Sequence, residues 1–395
     1  MTRVLYLSFN DPDMSPGVFR KEREFCEFLG EAGMSRGIES RGLCIVASAE
    51  RDRITGDPSF ELRRIQSFPY RVFSRVPLFR SLFRIRPVFS QAYHGIMTYN
   101  PTVIIWRYNI TYVPGIFNPK KVCPRALFIT EHQAKEIDEL RMTAAGRMVA
   151  PIIRRRAEKV LRNVDAVMGV TGEISRHELA LAGRSIPTYT LTNSIDVDRY
   201  PLKSPGHKDE ERVRLLYVGS HTADWQGLDR LLKGMAAYRG DTQLVLHVAG
   251  HMSTSTRRLI DTLGVGNHVH AHGYVEGKEL DALFDTCDIA IGTLGMHRKN
   301  LTYGSTLKVR EYMARGIPFM ISYVDEDLQQ GLPYVYMAPA DDSPLDMDGV
   351  IGFTRETYRA GGPDMPHCMR AYAREHMDYR GKTIKLLDFI ETLLR

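Results

Sequence analysis

Short apolar runs alternate with helix-patterned stretches along this chain, and the series starts afresh once near its middle. That pattern leaves few folds open. Residues 4–9, 43–49, 103–106, 127–130, 166–170 and 188–192 are near-continuously apolar and four to seven residues long. Such runs suit strands buried on both faces, the condition of a parallel sheet covered by helices. Helical patterns over 18–32 and over 151–163, the latter starting at a proline, lie between them. Residues 201–212 (PLKSPGHKDEER) are polar and carry proline and glycine, which marks a linker. Strand-like runs then resume at 215–218, 244–249, 269–272, 289–292 and 318–322, with helical stretches at 228–238, 256–263, 278–285 and 307–315 and a closing helix at 381–395. The pattern predicts an α/β protein of two Rossmann-like β/α/β domains, with a ligand at the carboxyl ends of the strands. The expected division is 1–198, a linker at 199–212, a second domain at 213–378, and a final helix at 379–395.

A chain of 395 residues with 25% charged and 43% apolar side chains has the make-up of a soluble globular protein of two domains. The first apolar run is too short for a signal sequence, and no stretch is apolar for the ~18 residues that a membrane span needs. Five scattered cysteines without a Cys-x-x-Cys pair predict reduced thiols and no zinc site. These features predict a cytoplasmic protein.

The net charge of +6 is unevenly spread. Residues 62–130 hold no acid and eleven bases, so the rest of the chain sums to 6 − 11 = −5. Within that window residues 77–86 (PLFRSLFRIR) pattern as a helix ending before Pro87, with Phe83 on an apolar side and Arg80 and Arg84 on another. Basic, aromatic and amphipathic together, the segment suits an anionic membrane surface on the inner face of the plasma membrane, or a lipid-linked acceptor, rather than a core-packed helix. No nucleic-acid recognition motif accompanies the charge, so nucleic acid is not an expected partner.

Residues 288–322 (DIAIGTLGMHRKNLTYGSTLKVREYMARGIPFMIS) carry the chemistry. A buried strand gives way to a glycine-bearing loop, and a helix follows that Ser305 can cap. Free N–H groups at a helix start favour an anion, and Lys308 in the first turn adds a full charge. Glu311, one turn on, can accept hydrogen bonds from both hydroxyls of a ribose. Diphosphate at the helix start and ribose one turn along is the layout of a nucleoside diphosphate. The basic triplet His297, Arg298 and Lys299 reads equally as a contact to phosphates and as a solvated loop tip. Two Asp-x-Asp triplets, at Asp11–Asp13 and Asp196–Asp198, read as structural, and no obligatory metal or cofactor is expected.

This stretch resembles the signature of family 4 retaining glycosyltransferases, of the glycosyl transferases group 1 type, whose GT-B fold sets two Rossmann-like domains across a cleft. Further matches follow in order. Ser15-Pro16-Gly17 resembles a glycine loop near the donor phosphates. Thr192-Asn193-Ser194-Ile195-Asp196 is similar to the close of the first domain. Leu216-Tyr217-Val218-Gly219 followed by Trp225-Gln226-Gly227 resembles the opening of the donor domain, and His272-Gly273-Tyr274-Val275 the segment lining the base; the resembled fold also implies that the final helix packs back on the first domain. The resemblance implies transfer of a hexosyl group with retention from a UDP- or GDP-sugar co-substrate to a glycan or polyprenyl-linked acceptor, in surface polysaccharide assembly. The departing diphosphate would help take the acceptor proton. It assigns donor binding to Gly17, Gly219, Ser220, Gln226, Gly250, Tyr274, Val275, Tyr303, Gly304, Ser305, Thr306, Leu307, Lys308 and Glu311, and places Glu131 and His132 in the cleft, His132 as a catalytic group.

Three positions depart from that pattern. Tyr303 stands where the family has the first of two glutamates, and Ser220 and Gln226 where it has Arg and Lys. They keep open a non-catalytic nucleotide- or glycan-binding protein, and an epimerase or hydrolase on the same fold.

Overall fold

The computed structural model describes residues 1–11, 16–48, 53–56, 59–66, 77–204, 211–221 and 223–395, with backbone alone at 16, 48, 53, 66, 77–84, 113–115, 220 and 221. Two compact units divide the chain: Met1–Thr192 with Tyr379–Arg395, and Asn193–Asp378.

Unit 1 is built on β1 (Thr2–Ser8), β2 (Ile38–Ser48), β3 (Arg53–Gly56), β4 (Phe60–Gln66), β5 (Val103–Arg107), β6 (Leu127–His132), β7 (Ala166–Gly169) and β8 (Thr188–Thr190). Its sheet runs β3-β4-β2-β1-β5-β6-β7-β8. Every neighbouring pair is parallel except β3 with β4. The order reverses at β1, between β2 and β5. β1, β5 and β7 are buried almost throughout because helices cover both faces. One layer packs Leu5, Leu7, Ile104, Trp106 and Phe128 against the helix Pro77–Tyr99, and the other packs Val4, Tyr6 and Ile105 against the helices Pro16–Met34 and Tyr379–Leu394. The final helix belongs to this unit: Leu386, Leu387 and Ile390 are buried, Tyr379 stacks on Phe28 at 5.2 Å, and Arg36 pairs with Asp388 at 2.6 Å.

Unit 2 repeats the design with β9 (Arg212–His221), β10 (Gln243–His251), β11 (Val269–Gly273), β12 (Ile289–Ile291), β13 (Phe319–Ile321) and β14 (Val335–Met337), all parallel, in the order β11-β10-β9-β12-β13-β14. Here the order reverses at β9, between β10 and β12.

Two helices run through prolines that sequence reading treats as boundaries. The helix expected to start at Pro151 spans Ala144–Leu161, and Thr143 caps it by accepting from the N–H of Gly146 at 3.0 Å. The helix expected to end before Pro87 continues to Tyr99. A mid-helix proline forfeits one hydrogen bond, and the buried face of Val88, Phe89, Ala92 and Ile96 offsets that loss. The side chains of Arg80, Phe83 and Arg84 lie outside the described residues.

The chain enters unit 2 at Asn193, ahead of the stretch 199–212. The N–H of Asn193 donates to Ser305 Oγ at 2.8 Å, and buried Lys203 donates to the carbonyls of Phe284 and Asp285 at 2.8 and 2.9 Å. Residues 193–204 are therefore tied to unit 2 rather than strung as a spacer. Asp196 accepts from the N–H of Asp198, and Asp198 pairs with Arg374 at 2.7 Å, which accounts for that triplet structurally. Pro12 and Asp13 of the other triplet lie outside the described residues.

Candidate functional site

The carboxyl ends of β9 and β12, where the strand order of unit 2 reverses, form the position at which a doubly wound sheet binds ligands. Gly219 and Gly250 lie near the ends of β9 and β10, and Tyr274 and Val275 follow β11, so these residues share one edge of the sheet. Gly250 has φ +139°, and a Cβ there would be driven into the carbonyl of Gly219. Tyr274 is 63% exposed, with its hydroxyl on Glu276 at 2.8 Å. The side chain of Ser220 lies outside the described residues.

Gln226 joins the loops that follow β9 and β12. Its carbonyl accepts from the N–H of Leu294 at 2.9 Å. Its Oε1 accepts from Thr293 Oγ1 at 3.2 Å and from Lys308 Nζ at 2.7 Å. Gly227, at φ +72°, lets the backbone approach Leu294 closely.

The helix Leu307–Arg315 runs from β12 back to β13, so its N-terminus lies at this same edge of the sheet. Its N-cap is Thr306, not Ser305, and no side chain caps it. Ser305 Oγ is taken by Asn193, and Thr306 Oγ1 meets the hydroxyl of Tyr323 at 2.8 Å. The helix start thus keeps the unpaired character that suits an anion. Gly304 donates to the carbonyl of Val324 at 2.9 Å and Tyr303 bridges Val324, which fixes the approach to the helix. The ammonium of Lys308 lies over the ring of Tyr217 at 4.4 Å. Burial among these neutral partners pushes its pKa down to about 7. Glu311 accepts from Arg315 Nε at 2.8 Å, and Arg315 also reaches Asp281 at 2.7 Å.

The basic triplet is engaged elsewhere. Arg298 pairs with Asp229 at 2.8 Å and Asp342 at 2.7 Å, His297 meets Asp342 at 3.1 Å, and Lys299 covers the ring of Trp225. These contacts anchor the loop after β12, as does buried Arg230, which donates to the carbonyl of Leu294.

In unit 1, Gly17 is the second residue of the helix after β1, is exposed, and has open space where a Cβ would stand. Glu131 and His132 end β6, and both are buried. Glu131 accepts from the hydroxyl of Tyr6 at 2.7 Å and from Gln133 at 2.5 Å, and pairs with Arg107 at 3.4 Å. Burial alone would raise its pKa, but Arg107 and Lys21 hold it below the usual carboxylate value. Arg107 also pairs with Glu22 at 2.9 Å. Glu131 is therefore part of an internal charge network under β1, β5 and β6, and it does not present an open carboxylate.

His132 Nδ1 lies 3.3 Å from Glu136 and 3.6 Å from Glu178, beside the ring of Tyr108 at 4.4 Å. Burial pulls its pKa down, but Glu178 and Glu136 push it up and prevail. Its Nε2 is buried without a hydrogen-bond partner. His132, Glu136 and Glu178 are also the one group among the described residues with the spacing to hold a metal ion. Sequence reading missed both glutamates, because Glu178 comes from a separate helix, and it missed Tyr217 and Thr293, which look like ordinary strand and loop residues.

The comparisons bear on both units. Residues 212–346 match a family described as glycosyl transferases group 1. No curated protein matches the chain in sequence. Solved structures do match over the whole chain. A sucrose-phosphate synthase from Thermosynechococcus elongatus aligns at TM-score 0.69 and 16% identity, covering 100% of this chain and 99% of that one. The Anabaena protein HepE, solved with UDP and glucose, aligns at TM-score 0.66 and 13% identity, covering 99% and 100%. A lipopolysaccharide outer core galactosyltransferase aligns at TM-score 0.59 and 13% identity, covering 96% and 98%. At such identities the likeness establishes the fold, which is the GT-B pair of Rossmann-like units.

Proposed function

We propose that the chain is a glycosyltransferase that moves a hexosyl group, with retention, from a nucleoside-diphosphate sugar to a glycan or lipid-linked acceptor. The observation that carries this reading is the uncapped start of the helix Leu307–Arg315 at the strand-order reversal of unit 2, with Lys308 in its first turn and Glu311 one turn on. The match of residues 212–346 to a glycosyltransferase family supports it, as does the fold shared with a protein solved with UDP and glucose.

In this reading the donor diphosphate sits on the amides at 307–309 and on Lys308, and the ribose hydroxyls donate to Glu311. The acceptor belongs to unit 1, where His132 Nε2 can hydrogen-bond a sugar hydroxyl. The bond from the anomeric carbon to the diphosphate oxygen breaks, and a bond to the acceptor oxygen forms on the same face. The acceptor proton passes to the departing diphosphate, so no carboxylate base is needed. The protein contributes positioning and charge stabilisation of the leaving group.

Tyr303, Ser220 and Gln226 favour a second reading, a nucleotide-binding protein without turnover. One experiment separates the two. The pure protein is unfolded thermally with UDP, GDP and ADP and their sugars, and each sugar that stabilises it is then supplied with glycan acceptors. Stabilisation followed by transfer supports the enzyme. Stabilisation without transfer supports the binder. No shift with any nucleotide, where 100 times Kd gives about 2.7 kcal/mol, removes both. Release of free sugar without an acceptor points to a hydrolase.

A further inference from the structure

Large apolar side chains that stand in water are scattered singly over the described residues, with one exception. Met142 (52% exposed), Met148 (82%), Val149 (39%) and Ile152 (59%) fall within eleven residues, at the start of the helix Ala144–Leu161. The opposite side of that helix, with Gly146, Ala150, Ala157, Val160 and Leu161, is buried in unit 1. At about 100° per residue, Ala145, Met148 and Ile152 share the outer face. Two turns on, the same face carries Arg155, Lys159 and Arg162, all exposed. Its first half is thus apolar and its second half basic. From 142 to 162 there are six bases and one acid. That acid, Glu158, answers Arg154 at 3.1 Å and Arg162 at 3.9 Å.

We infer that this face docks on an anionic lipid bilayer, with Met148, Val149 and Ile152 entering the headgroup–acyl boundary and Arg155, Lys159 and Arg162 meeting lipid phosphates. Folding leaves an apolar patch exposed only at a cost, and a patch flanked by bases matches a negative surface with an apolar interior. A second copy of the chain would bring the same bases against each other, which disfavours self-association. Among the described residues no helix is long and apolar enough to cross a membrane, so the contact is a surface one. The inference stands apart from the donor site and from the basic segment 77–86.

The test is flotation of the full chain with vesicles of phosphatidylcholine alone, or of phosphatidylcholine and phosphatidylglycerol in equal parts. The protein is expected to float with the anionic vesicles, less so as salt rises, and hardly at all with the neutral ones. Met148→Asp with Ile152→Asp abolishes flotation at an unchanged thermal midpoint. Arg155→Gln with Lys159→Gln weakens it by about thirtyfold, and this pair decides the matter should the first variant fail to fold. Flotation lost on Phe83→Asp but retained in both pairs would overturn the inference in favour of segment 77–86. Equal flotation on neutral vesicles would overturn it too, as would a dimer in light scattering that Met148→Asp dissolves.

Discussion

At the proposed donor site Lys308 is held in an unusual state. Lys308 Nζ has two neutral neighbours, Gln226 Oε1 at 2.7 Å and the Tyr217 ring at 4.4 Å, and burial brings its pKa to about 7. A diphosphate placed on the adjacent helix start would return it to the ordinary amine range or above. Binding then takes up a proton wherever the free protein holds Lys308 neutral and the complex holds it charged. Below pH 7 the charge is already present and affinity is flat; above pH 7 affinity falls as the free amine loses its proton. The apparent Kd scales as one plus ten to the power (pH − 7). From pH 7 to 9 that is a weakening of about fiftyfold, roughly 2.3 kcal/mol. The phosphate itself ionises near pH 6, below this window.

Calorimetric titration with UDP, or with GDP if UDP gives no heat, measures both quantities. The Kd should climb across pH 7, 8 and 9. At pH 8 the dependence of binding heat on buffer ionisation should report about 0.9 proton taken up per nucleotide. Lys308→Met should bind weakly with neither effect. The shift also has a folding consequence of fixed sign. Between pH 7 and the ordinary amine value the unfolded chain binds the extra proton, so the empty fold gains stability as pH rises, and Lys308→Met stabilises it most at or below pH 7. A flat Kd with no proton uptake, or the same slope in Lys308→Met, would refute the placement of the diphosphate on this helix.

Other changes have equally definite outcomes. Glu311→Ala should weaken nucleotide binding by about tenfold or more through loss of the ribose hydrogen bonds, read as loss of the nucleotide-induced thermal shift. His132→Gln should abolish transfer while leaving nucleotide binding intact. His132 carries a raised folded pKa, so its stabilisation is fully present below the unfolded value and is lost as pH rises through the folded one; urea unfolding should show a larger deficit in His132→Gln at pH 6 than at pH 9. Gln226→Lys should tighten nucleotide binding and raise proton uptake above one, because a second ammonium beside Lys308 is tolerated only with the anion present. An unchanged profile would show that Gln226 and Lys308 form a structural pair.

Most strands were legible, because a parallel strand covered on both faces is apolar along its length; β8, read as buried, and β11 are instead largely exposed at the ends of their rows. β3, β4 and β14 were missed for the converse reason: Phe60–Gln66 (FELRRIQ), paired on both sides, buries Phe60, Leu62 and Ile65 but puts charges between them, and β14 spans only Val335–Met337. Prolines misled at residues 87 and 151, where burial of the remaining helix face outweighs one lost hydrogen bond. At the proposed donor site the helix that carries Lys308 and Glu311 was legible, since a helix start after a glycine-bearing loop has a local signature. It did not indicate the cap, because Ser305 bonds instead to Asn193, 112 residues away. The partners of Glu131 were hidden for a related cause. A glutamate at the end of a strand looks available until Arg107, Tyr6 and Gln133 are seen to claim it.

Two of the three departures from the resembled pattern, Gln226 and Tyr303, take on a physical sense once the geometry is known. Gln226 replaces a cation, but its Oε1 holds Thr293 and Lys308 together, so the loops after β9 and β12 stay joined where a lysine would have repelled Lys308. The empty site then carries little net charge, and burying it costs less than burying two ammonium groups would. Its positive charge is completed by a proton that arrives with the anion. Tyr303 is held through Val324 in the turn ahead of the helix. In the proposed reading, a tyrosine in place of a carboxylate there removes a negative charge from the approach to the diphosphate. The sequence changes that argue against a donor site therefore lower its charge in both signs together and leave its helix start open.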